Sequence, residues 1–222
     1  MATDGRGCGC GGSDLRGSVG SGPIGRAPSQ TRGFQEEVIK RIGVLAGAFN
    51  PVTRAHLALA EAAGKIVDEV VCVVPRVYPH KHFHGAGLED RIEMLKLAGG
   101  RYRVEIAESG LFIDIARELR QPDSEISFIC GRDAAERVID WDYGEAPGIE
   151  EILTEFSIMV AERGGSYEAP EHLRHRVHRL ELDSDFSNVS STEVRRRIAA
   201  GEPWEHLVPD TITEHVRKIY AA

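Results

Sequence analysis

Short apolar runs alternate with segments of helical spacing along most of this chain, and that alternation constrains its fold more than any other feature. Residues 42–47 read IGVLAG, 68–75 read DEVVCVVP, 126–130 read ISFIC and 156–161 read FSIMVA. Runs this short and this continuously apolar predict strands buried on both faces. Between them, residues 54–65 are rich in alanine and leucine, and Leu88–Ala98 repeats Leu88, Ile92, Leu95 and Ala98 on one helical stripe. Residues 102–106 are a further strand candidate, and 112–120 and 132–140 are further helices. Residues 177–182 alternate more, which predicts a strand near a sheet edge. Two closing helices are expected over Ser191–Ala200 and 209–220. Alternating βα units of this kind imply an α/β, Rossmann-like parallel sheet with helices on both faces. Ligands of such sheets bind beyond the carboxyl ends of the strands, so the strand-to-helix junctions are where a site is expected.

Residues 1–33 are rich in Gly, Ser, Pro and Arg and lack the apolar surface to offset ordering entropy, so they read as a disordered tail before a folded domain over 34–222. Cys8 and Cys10 in that tail make half a metal site at best, while Cys72 and Cys130 sit in apolar runs as small buried hydrophobes. The tail has no apolar core segment, so it is not a secretory signal, and its glycine density opposes the amphipathic helix of a transit peptide. The cytoplasm is the expected location. A formal net charge of −8 excludes a general nucleic-acid binder, whose phosphate contacts need a basic face. It leaves room for a nucleotide enzyme, which needs only a few cations in one cleft. No apolar run approaches the roughly 20 residues that span a bilayer, so no membrane partner is expected.

At the first junction the chain runs Gly47-Ala48-Phe49-Asn50-Pro51-Val52-Thr53-Arg54-Ala55-His56. Asn50-Pro51 predicts a helix start, with a capping side chain and a residue preset for the first turn. Thr53 and His56 are three apart and share a helix face beside unpaired N–H groups, a favourable place for phosphate. An imidazole there can stabilise charge as it develops. A satisfied surface histidine is the plain alternative. At the last junction the chain reads Val189-Ser190-Ser191-Thr192-Glu193-Val194-Arg195. Ser190 and Glu193 have capping-box spacing, yet three hydroxyls and an arginine at a helix start also make an anion site.

These two stretches carry a resemblance. G-A-F-N-P-V-T-R-A-H resembles the [HT]-x-G-H region of the adenylyltransferase and cytidylyltransferase superfamily, with Ala55 where many members have glycine. Its F-N-P and T-x-x-H wording is most similar to nicotinamide and nicotinate mononucleotide adenylyltransferases. V-S-S-T-E-V-R resembles the I-S-S-T-x-[IV]-R motif that closes over the ATP triphosphate. By resemblance, Gly47, Ala48, Phe49, Asn50, Ser191, Thr192 and Arg195 contact ATP. His56 and Thr53 join Lys81 and Arg195 in the catalytic set.

The middle of the chain adds the acceptor side. His80, His82 and His84 alternate in a manner that suits zinc, but no cysteine or carboxylate completes a set, and a polar loop is the better reading, with no metal site expected. P-H-K around Lys81 is similar to the P-P-H-K of bacterial nicotinate mononucleotide adenylyltransferases, with Tyr78 in place of the first proline. Arg91-Ile92-Glu93-Met94-Leu95 resembles their R-x-x-M-L helix, which implies substrate contact for Lys81 and Arg91. Gly131-Arg132-Asp133 resembles their G-x-D, where glycine admits a ligand and the carboxylate accepts from ribose. Trp141 matches a tryptophan near the pyridine ring; a core tryptophan explains it as well. The family's Y-T-x-x-T-L stretch is replaced here by Leu111-Phe112-Ile113-Asp114-Ile115-Ala116, without either threonine.

The resemblance implies transfer of AMP from ATP, with Mg²⁺, to nicotinate or nicotinamide mononucleotide, with pyrophosphate released. Rival readings are another acceptor such as phosphopantetheine, CTP in place of ATP, or a nucleotide-binding sensor that has lost catalysis. Small-molecule substrates are the expected partners, and a homo-oligomer stays open.

Overall fold

Strand β1 (Lys40–Ala46) is buried from Ile42 to Leu45, and it divides its side chains between two separate cores. Leu45 faces one core, whereas Ile42 and Val44 face the other, as the two-residue period of a strand requires. β2 (Glu69–Pro75) repeats the division: Val70, Cys72 and Val74 lie on the first face and Val71 and Val73 on the second. The structure is a computed structural model that describes residues 39–78, 85–141, 148–161, 167–184 and 186–221. These described residues fall in one unit spanning Glu37–Ala222.

The remaining strands are β3 (Arg103–Ala107), β4 (Ser124–Gly131), β5 (Ser157–Ala161) and β6 (Val177–Leu180). All neighbouring pairs are parallel, and the sheet runs in the order β3-β2-β1-β4-β5-β6. The chain first winds outward from β1 to β3, then returns to the other side of β1 and winds outward to β6. Right-handed crossovers in opposite directions put their helices on opposite faces. Accordingly α1 (Arg54–Ala63), α2 (Leu88–Ala98), α6 (Ser191–Ala200) and α7 (Thr213–Tyr220) bury Leu59, Leu95, Val194 and Val216 in the first core. α3 (Phe112–Leu119), α4 (Arg132–Ile139) and α5 (Ile149–Ile152) bury Ile115, Ala135 and Ile152 in the second. There Phe112 stacks on Phe128 at 4.0 Å, and Phe128 meets Phe156 edge-on at 4.9 Å. The direction of winding reverses between β1 and β4, the point beyond whose carboxyl ends sheets of this kind bind ligands.

The expected α/β architecture is therefore the observed one, and residues 177–182 supply the edge strand, which ends at Leu180. Glycines close two helices: Gly99 after α2 and Gly201 after α6 are left-handed, at φ 76° and 66°, where a side chain would strain the backbone. The last predicted helix differs in detail, since a 3₁₀ turn over Asp210–Ile212 precedes α7. The four-residue α5 was not expected, being too short for its period to register. The predicted tail, together with Lys81, His80, His82 and His84, lies outside the described residues.

Candidate active site

The β1–α1 loop is held from three sides. At its start, Gly47 N–H donates to Val73 C=O at 3.0 Å, and Gly47 C=O accepts from the Tyr78 hydroxyl at 2.8 Å. Ala48 C=O accepts from Arg91 Nη1 at 3.3 Å. Phe49 then adopts φ 49°, an unfavourable conformation for an aromatic residue, and is fixed there by burial of its ring, 5.0 Å from the His56 ring. Asn50 is 3% exposed, and its Oδ1 accepts from Ala86 N–H at 3.2 Å and from the Tyr220 hydroxyl.

This corrects the expectation that Asn50 caps the first helix. The N-cap is Thr53, with extended φ −127° and ψ 164°, and α1 begins at Arg54. Asn50 is too far upstream to reach the orphan N–H groups of α1, and it satisfies two buried donors instead. At the true cap, His56 takes the place that glutamate or glutamine holds in a capping box. Its Nδ1 lies 3.0 Å from Thr53 N–H and 2.9 Å from Thr53 Oγ1. A backbone N–H can only donate, so Nδ1 is the acceptor and the imidazole carries its proton on Nε2. Thr53 is 0% exposed, so it orients His56 from behind.

The last junction packs against this loop. Ser190 caps α6, its Oγ accepting from Glu193 N–H at 3.1 Å. Ser191 Oγ donates to Pro51 C=O at 2.7 Å, across 140 residues of sequence. Arg195 Nη1 donates to Asn50 C=O, and its Nη2 lies 3.4 Å from Thr192 Oγ1. Arg196 and Arg197 point elsewhere: both pair with Glu193, and Arg196 reaches Glu202 as well. Those guanidinium groups hold the Glu193 carboxyl at about 2, so it stays ionised and offsets them locally.

On the other side of the loop lies a cavity of about 300 Å³, walled by Gly47, Ala48, Leu111, Phe112, Arg137 and Trp141 among others. Its volume matches the lower range of small-molecule sites, ~300–1,000 Å³. Trp141 is 41% exposed there, so it is a wall of the cavity and not a core residue. Gly131 ends β4 as the N-cap of α4, and Asp133 is exposed in the first turn. Arg91 lies against the same loop. It is 5% exposed and donates from Nε to Gly87 C=O at 3.2 Å and from Nη1 to Ala48 C=O, which makes it a brace beneath the loop.

Two supporting residues escaped the sequence reading, Tyr78 and Tyr220, whose hydroxyls fasten the loop. Burial pushes both phenols from 10.0 up to about 12. The neutral phenol is the form the fold favours, so its contribution is complete below pH 10 and is lost as pH rises through 12. Tyrosinate absorbance between those values is expected to rise together with loss of tertiary signal. Ionisation of these phenols near pH 10 with the fold intact contradicts the fastening role.

Comparison with known proteins extends the geometry. Residues 44–197 match the family model described as cytidylyltransferase-like. A probable nicotinate-nucleotide adenylyltransferase of Saccharopolyspora erythraea is 32% identical over 193 residues, covering 81% of this chain and 88% of its own. The chain belongs to the nicotinate-nucleotide adenylyltransferase family of cytidylyltransferase-like proteins. A Thermus thermophilus member of the family is also 32% identical over 193 residues, covering 80% of this chain and 97% of its own. The solved structure of Plasmodium falciparum nicotinic acid mononucleotide adenylyltransferase complexed with NaAD aligns with TM-score 0.62 at 18% identity, over 79% of this chain and 96% of that one. It shares the family fold. No helix among the described residues is long and apolar enough to cross a membrane.

Proposed function

We propose that this chain transfers AMP from ATP to nicotinate mononucleotide and releases pyrophosphate. One observation carries the reading: two phosphate-type junctions from opposite ends of the domain meet at one loop, through Arg195 to Asn50 C=O and Ser191 to Pro51 C=O. His56 and Arg195 thereby lie against the same β1–α1 loop, at Phe49 and Asn50. The cavity on the other side of Gly47 and Ala48 takes the pyridine, with Trp141 in its wall. The acceptor is named from the two relatives above, both described as probable nicotinate-nucleotide adenylyltransferases.

A phosphate monoester is already ionised at neutral pH, so its oxygen attacks the α-phosphorus of ATP without a general base. The bond from that phosphorus to the bridging oxygen breaks, and pyrophosphate takes the electron pair. Catalysis then rests on alignment and on neutralising charge. His56 Nε2–H donates to the transferring phosphoryl group and Arg195 to the departing pyrophosphate, with Ser191 and Thr192 around it. Asp133 accepts from a ribose hydroxyl. Lys81 orients the substrates, a role that rests on the resemblance of its P-H-K stretch. Magnesium would accompany ATP as part of the substrate and would help neutralise its phosphate charge.

Pyrophosphate release tests the reading. ATP with nicotinate mononucleotide is expected to give turnover, while phosphopantetheine as acceptor, or CTP as donor, gives little. Preferred turnover with either of those, or ATP binding with no turnover on any pyridine nucleotide, overturns it.

A further inference from the structure

We infer that Arg137 makes this enzyme selective for a pyridine bearing a carboxylate over one bearing a neutral amide. The inference rests on the proposed acceptor. Among the described residues that wall the 300 Å³ cavity, Arg137 is the one that carries charge; its neighbours there include Leu111, Phe112, Ile113, Val138 and Trp141. A carboxylate entering such a wall leaves water and needs a cation or several donors in exchange, whereas an amide loses far less. The stretch that borders the cavity at the start of α3 offers no hydroxyl, since Leu111, Phe112 and Ile113 are all apolar. The first-turn N–H groups of α3 add a favourable partial charge but no full one.

Arg137 is built to face this cavity. Its Nε donates to Asp133 C=O one turn earlier at 2.9 Å, which anchors the guanidinium on α4 beside the cavity it lines. Trp141, just past the end of α4 at Ile139, lines the same cavity, so ring wall and cation meet there. Among the described residues Arg137 forms no ion pair, whereas Arg132 on the same helix is committed to Glu136 at 3.0 Å. Beyond Arg137, a shallow depression is bordered by Asp133, Glu136 and Asp140. That acidic side repels an anion, so a carboxylate meets the guanidinium favourably only from within the cavity.

The test compares kcat/KM for nicotinate and nicotinamide mononucleotides, with ATP saturating, in the wild-type chain, Arg137→Gln and Arg137→Glu. The ratio of nicotinate to nicotinamide efficiency is expected to fall about ten- to a hundredfold in Arg137→Gln, as for loss of one charge-assisted contact, and further in Arg137→Glu. The loss should sit in KM for the nicotinate acceptor. Arg137 is exposed on α4, and unchanged melting temperatures verify that both variants fold. Equal losses on both acceptors, or an unchanged ratio, overturn the inference while leaving the adenylyl-transfer reading intact. A wild-type chain that turns over neither acceptor overturns the acceptor reading and this inference with it.

Discussion

Replacing His56 with alanine is expected to lower kcat by about two to three powers of ten, the typical cost of one lost electrostatic stabiliser. Two effects are mixed in that substitution. The imidazole accepts from Thr53 N–H through Nδ1, so alanine also removes the reciprocal half of the capping box of α1. Loss of a cap costs about 0.5–2 kcal/mol, which is small beside a domain stability of roughly 5–15 kcal/mol. The fold therefore survives, and the rate loss of about 2.7–4 kcal/mol belongs to chemistry. His56→Asn separates the two effects. Asparagine Oδ1 can accept where Nδ1 does, but nothing in that side chain donates from the Nε2 position. Its melting temperature should approach that of the wild type while kcat stays low. If asparagine restores turnover, or alanine leaves it nearly normal, His56 is a helix cap and no more.

The same residue shows what is legible in a sequence of this kind. Strands such as VVCVVP betray themselves because both faces are buried, so continuous apolarity is the signal. That same continuity hides the side to which each residue turns. Only the strand order separates Val71 and Val73 from Val70, Cys72 and Val74. The placement of His56 and Arg195 near the starts of helices was readable because each lies in a short motif that opens a helix. Asn50 was misread for a physical reason: an Asn-Pro pair before a helix has capping chemistry, but its partners, Ala86 and Tyr220, lie 36 and 170 residues away. The bracing contacts of Arg91 were equally hidden, since its burial and its carbonyl partner on Ala48 depend on the tertiary fold. Tyr78 stood out only as a replaced proline, and Tyr220 offered no local signal at all. Roles that exist only through long-range contacts leave no pattern for periodicity or motif to detect. Leu111, Phe112 and Arg137 line one cavity from the start of α3 and from α4, and no local pattern in the sequence links those two segments.

Arg195 provides the sharpest check on the convergence of the two junctions, because Arg196 is its built-in control. Arg195→Ala removes a guanidinium that donates to Asn50 C=O and approaches Thr192, so it strips charge from the proposed pyrophosphate site and loosens the β1–α1 loop. Charge-assisted contacts contribute about 1.5–3 kcal/mol each, and loss of one or two predicts a fall in kcat/KM for ATP of roughly 10²- to 10³-fold. Arg195→Lys retains the charge but not the planar fork, so it cannot serve the carbonyl and a phosphate together. KM for ATP should recover more than kcat does in that variant. Arg196→Ala changes the net charge identically, one residue further along α6. Its guanidinium is occupied by Glu193 and Glu202 on the exposed side of the helix, so activity within about threefold of wild type is expected. A general electrostatic effect of basic residues on ATP would weaken both variants alike. Similar losses at the two positions therefore refute the specific geometry, and a loss confined to Arg195 requires a guanidinium at the point where α6 meets Asn50 and Pro51.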